Sequence, residues 1–490
     1  MLSCAYGAAR CFAGMDPMRC LFKLTCPPVT KHLAFIIALL LALHAPAHAQ
    51  EIKARFVVLG PDGGAVARVI TASPTCPVLT VDQKPRPMLL RAAAETVPQR
   101  PTRSKAEQSK PSAFPVTVCE LPLEAAVQSV SLDGSPLPLP IKNPQHIIVI
   151  GDTGCRLKLS DNAFQPCNDP ENWPFQQVAD SAARLKPDLV IHVGDIHYRE
   201  NACPPDQSGC QGSPWGYGYD TFEADFFKPA AALLQTAPWV FVRGNHESCE
   251  RGGQGWWRFF DPRPLVKGQD CNRAEDDKIG EFSAPYAVPL GSDTSLIVFD
   301  SSFVGVRRLK QDDPVFQIYA AQMQEADRLA SRTPISFYTN HHPILGLTPR
   351  ATPNGLSAYS GNPALQSVLE TIRPVLLFPP QVQALLAGHV HVFQMASFDH
   401  DHPTQFISGN GGSWVEDPNL STVPEGSVAA PGLPISHFTT TNQYGFMTMH
   451  RDKTQWWYEA RNRQGEILAR CDLVQRIGQC SPEQLSNSPH

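Results

Sequence analysis

Charge is scarce in this chain of 490 residues: Asp, Glu, Lys and Arg together supply 18% of it. The 41 basic and 46 acidic residues nearly cancel to −5, so no general field exists to hold a polyanion, and a nucleic-acid polymer is not an expected partner. Any phosphate chemistry must be confined to one local site. Long apolar runs are missing too. The longest, LAFIIALLLAL at residues 33–43, falls well short of the roughly 20 residues that cross a bilayer. No C-x2-C pair occurs, which removes the usual thiolate metal knuckles. No internal repeat occurs, which removes solenoids and propellers. What is there is 42% apolar residues, 33 glycines and 47 prolines, the prolines being nearly twice the usual share. Such a chain builds a large core joined by stiff loops, about three units of ~150 residues by length alone. It is neither a coiled coil nor a collagen nor a fully disordered chain.

The apolar run follows Lys23 and Lys31 and leads into Ala47-His48-Ala49 and Gln50. A basic flank, an apolar stretch and a small-x-small exit read as a secretory signal peptide over residues 1–49, placing the mature protein outside the cell or in the periplasm with no membrane span. Fourteen cysteines are present, and ten lie beyond this leader. An exported chain is expected to oxidise them. Sequence alone does not fix connectivity, but the cysteines fall into neighbouring couples, and the expected bridges are Cys76–Cys119, Cys155–Cys167, Cys203–Cys210, Cys249–Cys271 and Cys471–Cys480.

Residues 50–142 lack helical periodicity. Short β-rich runs around Phe56 to Val58, Val69-Ile70 and Val116 to Val118 alternate with Pro61-Asp62-Gly63-Gly64 and Asp133-Gly134, the punctuation of a small all-β sandwich domain, fibronectin-III-like in kind. Residues 91–115, rich in Ala, Pro, Ser and Lys, read as a mobile loop, and Pro136, Pro138 and Pro140 as a stiff linker. From residue 143 to about 480, apolar strands alternate with amphipathic helices, as in an α/β domain; 481–490 is a tail. One helix carries Phe175, Val178, Ala179, Ala182 and Leu185 on one face. Another starts at Asn362 as cap with Pro363 in its first position. The segment 446–468 reads as antiparallel strands with Trp456, Trp457 and Tyr458 as core aromatics.

Strand after strand ends in a polar cluster: Gly151-Asp152-Thr153-Gly154, Gly194-Asp195-Ile196-His197-Tyr198, Gly244-Asn245-His246-Glu247, His341-His342-Pro343 and Gly388-His389-Val390-His391. Ligands of open α/β sheets bind beyond the carboxyl ends of the strands, so these loops should converge. Asp152, Asp195, Tyr198, Asn245, His341, His389 and His391 make a nitrogen–oxygen donor set without thiolate. Seven donors exceed what one ion takes, and a shared carboxylate would suit two ions about 3.5–4 Å apart. His342 and His197 read as supporting residues, and the turn from Ser408 to Gly412 as shaping the site. Trp215, Tyr217, Tyr219, Trp256 and Trp257 are candidates either for the cleft rim or for the core.

The ordered set GDTG, GDxxY, GNHE, HHP and GHVH resembles that of the calcineurin-like metallophosphoesterases, and within them the purple acid phosphatase branch. The resemblance covers about residues 145–470. It implies a four-layer αββα sandwich preceded by a small β-domain. Most members carry D-x-H in the first motif. Gly154 stands at that histidine's place here, and Tyr198 matches the tyrosine of the purple branch. The resemblance then implies Asp152, Asp195, Tyr198 and His391 on a first ion, Fe(III), and Asp195, Asn245, His341 and His389 on a second, divalent Fe, Zn or Mn. His246 would meet the substrate, stabilising the transition state or protonating the leaving oxygen. The implied function is hydrolysis of small phosphomonoesters by metal-activated hydroxide. A phosphodiesterase or nucleotide pyrophosphatase on the same metal core is the alternative, and a non-catalytic secreted binding protein is a third reading. The motifs leave the oligomeric state open.

Overall fold

The computed structural model describes residues 51–488 except 354, 375–376 and 400–401. The leader expected at 1–49 lies outside the described residues. No described helix is long and apolar enough to cross a membrane.

Two large sheets organise the chain. The first has eleven strands, and its centre is the parallel set His146–Ile150, Leu189–His192, Trp239–Phe241 and Ile52–Leu59. The second has seven, centred on the parallel set Thr294–Val298, Ile335–Thr339, Val382–Ala387 and Thr404–Ser408. These strands read as continuous apolar runs because both of their faces are buried. Val149, Ile191 and Val240 of the first sheet share one core with Leu296, Phe337, Leu386 and Phe406 of the second. The outer face of the first sheet packs Ile148, Ile150 and Phe241 against Phe175, Val178, Ala179 and Ala182 of the helix Phe175–Arg184. The outer face of the second packs against Pro314–Ala330 and Pro363–Ile372. The layers are therefore helix, sheet, sheet, helix. The Asn362 side chain accepts from the Leu365 amide, with Pro363 in the first turn; both are the residues the sequence marks.

The region before residue 142 is all-β: Val78–Val81, Lys84–Pro87, Val130–Leu132 and Ser135–Pro136 form a four-stranded sheet whose Leu79, Val81, Val130 and Leu132 pack with Val57, Ala67 and Val69, while four other strands continue the first sheet. Ile52–Leu59 pairs in parallel with Trp239–Phe241, Val58 facing Trp239, and Ala65–Thr71, Thr117–Leu123 and Leu89–Ala92 follow outward. Buried arginines fasten the addition. Arg68 Nη1 donates to the carbonyls of Phe259 and Asp261 at 2.8 and 2.9 Å, and Arg91 Nε donates to Arg258 O at 2.9 Å. Residues 50–490 thus form one compact unit. The stretch read as a mobile loop is also ordered: Glu95–Val97 pairs with Ser112–Phe114, and Arg100 is tied to Cys271 O and Asp277. Its composition is that of a loop, but its arginines find acceptors on the helical half of the chain. In the last strands Trp456 and Tyr458 enter the core, while Trp457 turns to the other face and stacks on His450, as period-two alternation requires.

All five expected disulfides are present. Two of them close loops beside the motifs, Cys155–Cys167 after the first and Cys249–Cys271 after the third.

Candidate metal centre

The five motif loops leave the carboxyl ends of parallel strands and meet. Asp152, Asp195 and His389 all hold left-handed backbone, φ 54°, 55° and 69°. Such conformations cost non-glycine residues on the order of 1–3 kcal/mol each, and concentrate where function over-determines them. The backbone also approaches too closely for side chains. A Cβ on Gly388 would overlap Asp152 Oδ2, and one on Gly244 would overlap Asp195 Oδ1.

Asp195 is the hinge of the arrangement. Its Oδ2 is 3.0 Å from Tyr198 Oη on one side and 3.0 Å from His341 Nε2 on the other. Around Tyr198 Oη gather Asp152 Oδ1 at 2.8 Å and His391 Nε2 at 2.9 Å. Around Asn245 Oδ1 gather His389 Nδ1 at 2.9 Å and His341 Nε2 at 3.1 Å. Among the described residues, Asp195, His341 and His389 present donor atoms within 4.8 Å of one another. All seven candidate ligands therefore lie in one cluster, two overlapping sets sharing Asp195.

The chemistry of these donors fits cations. His341 Nδ1 points at Val193 O at 2.9 Å and His391 Nδ1 at Trp414 O at 2.5 Å. A carbonyl only accepts, so each Nδ1 carries the proton and each Nε2 turns a lone pair inward, as in metal-bound imidazoles whose other nitrogen donates to a carbonyl. There the lone pairs meet carboxylate and amide oxygens, and the single Tyr198 hydroxyl proton cannot serve two carboxylates and an imidazole. Positive charge is what such a surplus of acceptors lacks. Burial, then the charges of Asp152 and Asp195, raise the Tyr198 phenol well above its usual range.

His246 lies beside this cluster, its Nε2 3.9 Å from Asp195 Oδ2 and its ring 3.9 Å, centroid to centroid, from that of Tyr198. Burial first, and the adjacent Arg251 charge second, push it down to about 3. His342 stands outside the donor set, its Nδ1 3.1 Å from Ser301 Oγ and its ring against His389. His197 Nε2 meets Gly216 O at 2.7 Å, a structural contact. The glycine-rich turn buttresses the first motif: Gly411 N donates to Gly151 O and Ser413 N to Asp152 O. Of the aromatics offered as a rim, Tyr217, Tyr219, Trp256 and Trp257 are buried, and Trp215, half-buried, packs under Lys110.

Several residues of the site carried no sequence signal of their own. Glu247 accepts from the amides of Gly244, Asp195, Ile196 and His197 at 2.8–3.0 Å, so one carboxylate splints the second and third motifs. Asp225 accepts from Cys155 N at 3.0 Å and Tyr198 N at 2.8 Å, joining the first motif to the second. Glu200 and Arg251 flank His246. Glu247 stands inside a motif and could have been marked; the other three become neighbours only in three dimensions.

The family model for calcineurin-like phosphoesterases matches residues 145–393, just over half of the chain, and spans all five motifs through His391. The chain belongs to the calcineurin-like phosphoesterases. As such it is a hydrolase of phosphate esters built on a dinuclear metal site. Among solved structures, a purple acid phosphatase from yellow lupin (Lupinus luteus) seeds, PPD1, is similar in fold at 14% identity and a TM-score of 0.50, the match covering 90% of this chain and 75% of that one. PhoD matches at 11% identity and 0.47, covering 91% and 94%. GAP50 of Plasmodium, an anchor in the inner membrane complex, matches at 11% and 0.34, covering 69% and 90%. No curated protein matches in sequence.

Proposed function

We propose that this phosphoesterase is an exported phosphomonoesterase of the purple acid phosphatase type, with Asp152, Asp195, Tyr198 and His391 holding Fe(III) and Asp195, Asn245, His341 and His389 holding a divalent Fe, Zn or Mn ion. The observation that carries the reading is the exchange of Gly154 for Tyr198. A Cβ at 154 would lie 2.6 Å from Ile196 O and 2.9 Å from Tyr198 N, so no imidazole fits there, while Tyr198 Oη sits among Asp152, Asp195 and His391. A buried phenolate is a hard anionic donor suited to a trivalent ion. The two cations would neutralise phosphoryl oxygens and lower the pKa of water. The chain's own part is to hold seven donors in fixed register, to keep Tyr198 out of solvent, and to set His246 at the substrate side of Asp195. Export is supported by the five disulfides, which persist in oxidising compartments.

The test is a visible spectrum with metal analysis, together with turnover of a nitrophenyl phosphate monoester and the corresponding diester. The expected protein is coloured by a tyrosinate-to-iron band that Tyr198→Phe abolishes, and it prefers the monoester. A colourless active enzyme overturns the iron assignment, and preference for the diester makes it a phosphodiesterase.

A further inference from the structure

Glu200 and Arg251 are charged, buried and far apart in sequence, one five residues after Asp195 and the other five after His246. They form an ion pair, with Arg251 Nε 3.1 Å from Glu200 Oε1 and Arg251 Nη2 on the same oxygen. Tyr217 Oη donates to the other carboxylate oxygen at 3.2 Å, and Arg251 Nη1 to Asn245 O at 3.3 Å. A buried pair of this kind is a poor source of stability, because desolvation offsets most of the attraction. Its location suggests another use. Both members touch the same imidazole: Glu200 Oε1 is 3.1 Å from His246 Nδ1, and Arg251 Nη2 is 2.7 Å from either ring nitrogen.

The two partners make opposite demands. A carboxylate only accepts and a guanidinium only donates. A ring with its proton on Nδ1 gives that N–H to Glu200, whereas the other tautomer would set a lone pair against the carboxylate; Arg251 Nη2, equally near both nitrogens, holds the ring in place without choosing between them. We propose that Glu200 and Arg251 are positioning residues for His246, pressing its ring against Tyr198 with the proton held on Nδ1 and the Nε2 lone pair on the side of Asp195. His246 then serves as a hydrogen-bond acceptor toward water or substrate at that edge. The ring's orientation is set by two loops that follow different motifs, so the pair also registers the second motif against the third.

The inference rests on the phosphoesterase reading for its assay, and the test is a mutant cycle on the metal-loaded enzyme using whichever phosphate ester the wild type hydrolyses. Glu200→Gln is expected to lower kcat by at least about tenfold with KM within about twofold, a loss within the range of general acid–base contributions. Placed on His246→Ala, the same change is expected to have less than about a twofold effect, because it acts through that ring. Arg251→Lys should follow the same pattern. If Glu200→Gln does not fold with Arg251 left unpaired, the double variant Glu200→Gln/Arg251→Met removes both charges and is measured the same way. Equal losses with and without His246, or unchanged kcat in the folded double variant, overturn the proposal while leaving the phosphatase reading intact. A wild type that hydrolyses no phosphate ester overturns both.

Discussion

At the scale of single residues, the site is built from donors that are individually unremarkable and from glycines that let them approach. Gly388 illustrates the point: a methyl group there would meet Asp152 Oδ2, Val193 O at 3.1 Å and His341 Nδ1 at 3.3 Å. We expect Gly388→Ala to fold and keep its disulfides but to lose at least about tenfold in metal affinity, the usual effect of disturbing the surroundings of a ligand set. Metal content after dialysis against a weak chelator measures this, and wild-type retention would be the contrary result. The ligand candidates were legible in sequence because they fall in short polar clusters at the ends of apolar runs, with Asp152, Asp195, Asn245 and His389 each directly after a glycine. Glu200, Arg251 and Asp225 were not. A buried Arg or Asp looks the same in sequence as one on the surface, and only the meeting of loops reveals what it faces.

At the scale of elements, register decides which polar groups become partners. In the antiparallel pair Gly445–Asp452 and Gln455–Asn462, Thr448 faces Glu459. The Glu459 carboxylate takes His450 Nε2 at 3.0 Å and Arg461 Nε at 3.1 Å. Burial alone would raise its pKa, but hydrogen bonds from His450 and Arg461 hold it down to about 2. A carboxylate depressed in the folded state stabilises it above its unfolded pKa, near 4.5, and that contribution disappears as pH falls toward 2. Glu459→Gln is therefore expected to lose stability at pH 6, by about 1–3 kcal/mol as for hydrogen bonds to a charged group, and to match the wild type near pH 2. Urea titrations at the two pH values measure it, and a deficit that persists at low pH would contradict the assignment. The strands themselves were readable from apolar runs, and the helix Pro363–Ile372 from its cap. The pairing of Glu95–Val97 with Ser112–Phe114 was not, since short segments rich in proline and alanine look like a loop until arginines such as Arg100 find acceptors elsewhere in the chain.

At the scale of the whole molecule, the β-rich region before residue 142 contributes four strands to the catalytic sheet. Removing it would expose the edge of Trp239–Phe241, and the acceptors that Phe259, Asp261 and Arg258 offer to Arg68 and Arg91 would lose their donors. We expect a fragment beginning at residue 143 to be insoluble or unfolded by circular dichroism and limited proteolysis; a folded, active fragment would mean that the shared sheet is dispensable. The sequence by itself determined the alternation of strands and helices, the family, the seven candidate donors and the disulfide couples, because each is written in local spacing: apolar runs, glycines beside polar residues, cysteines near in the chain. Only the tertiary structure decided which strand lies beside which, that Asp195 faces Tyr198 and His341 at once, and which buried charges stand behind His246. Most of those relations join segments distant in the chain, and local spacing holds no record of distances that arise only when two sheets pack face to face.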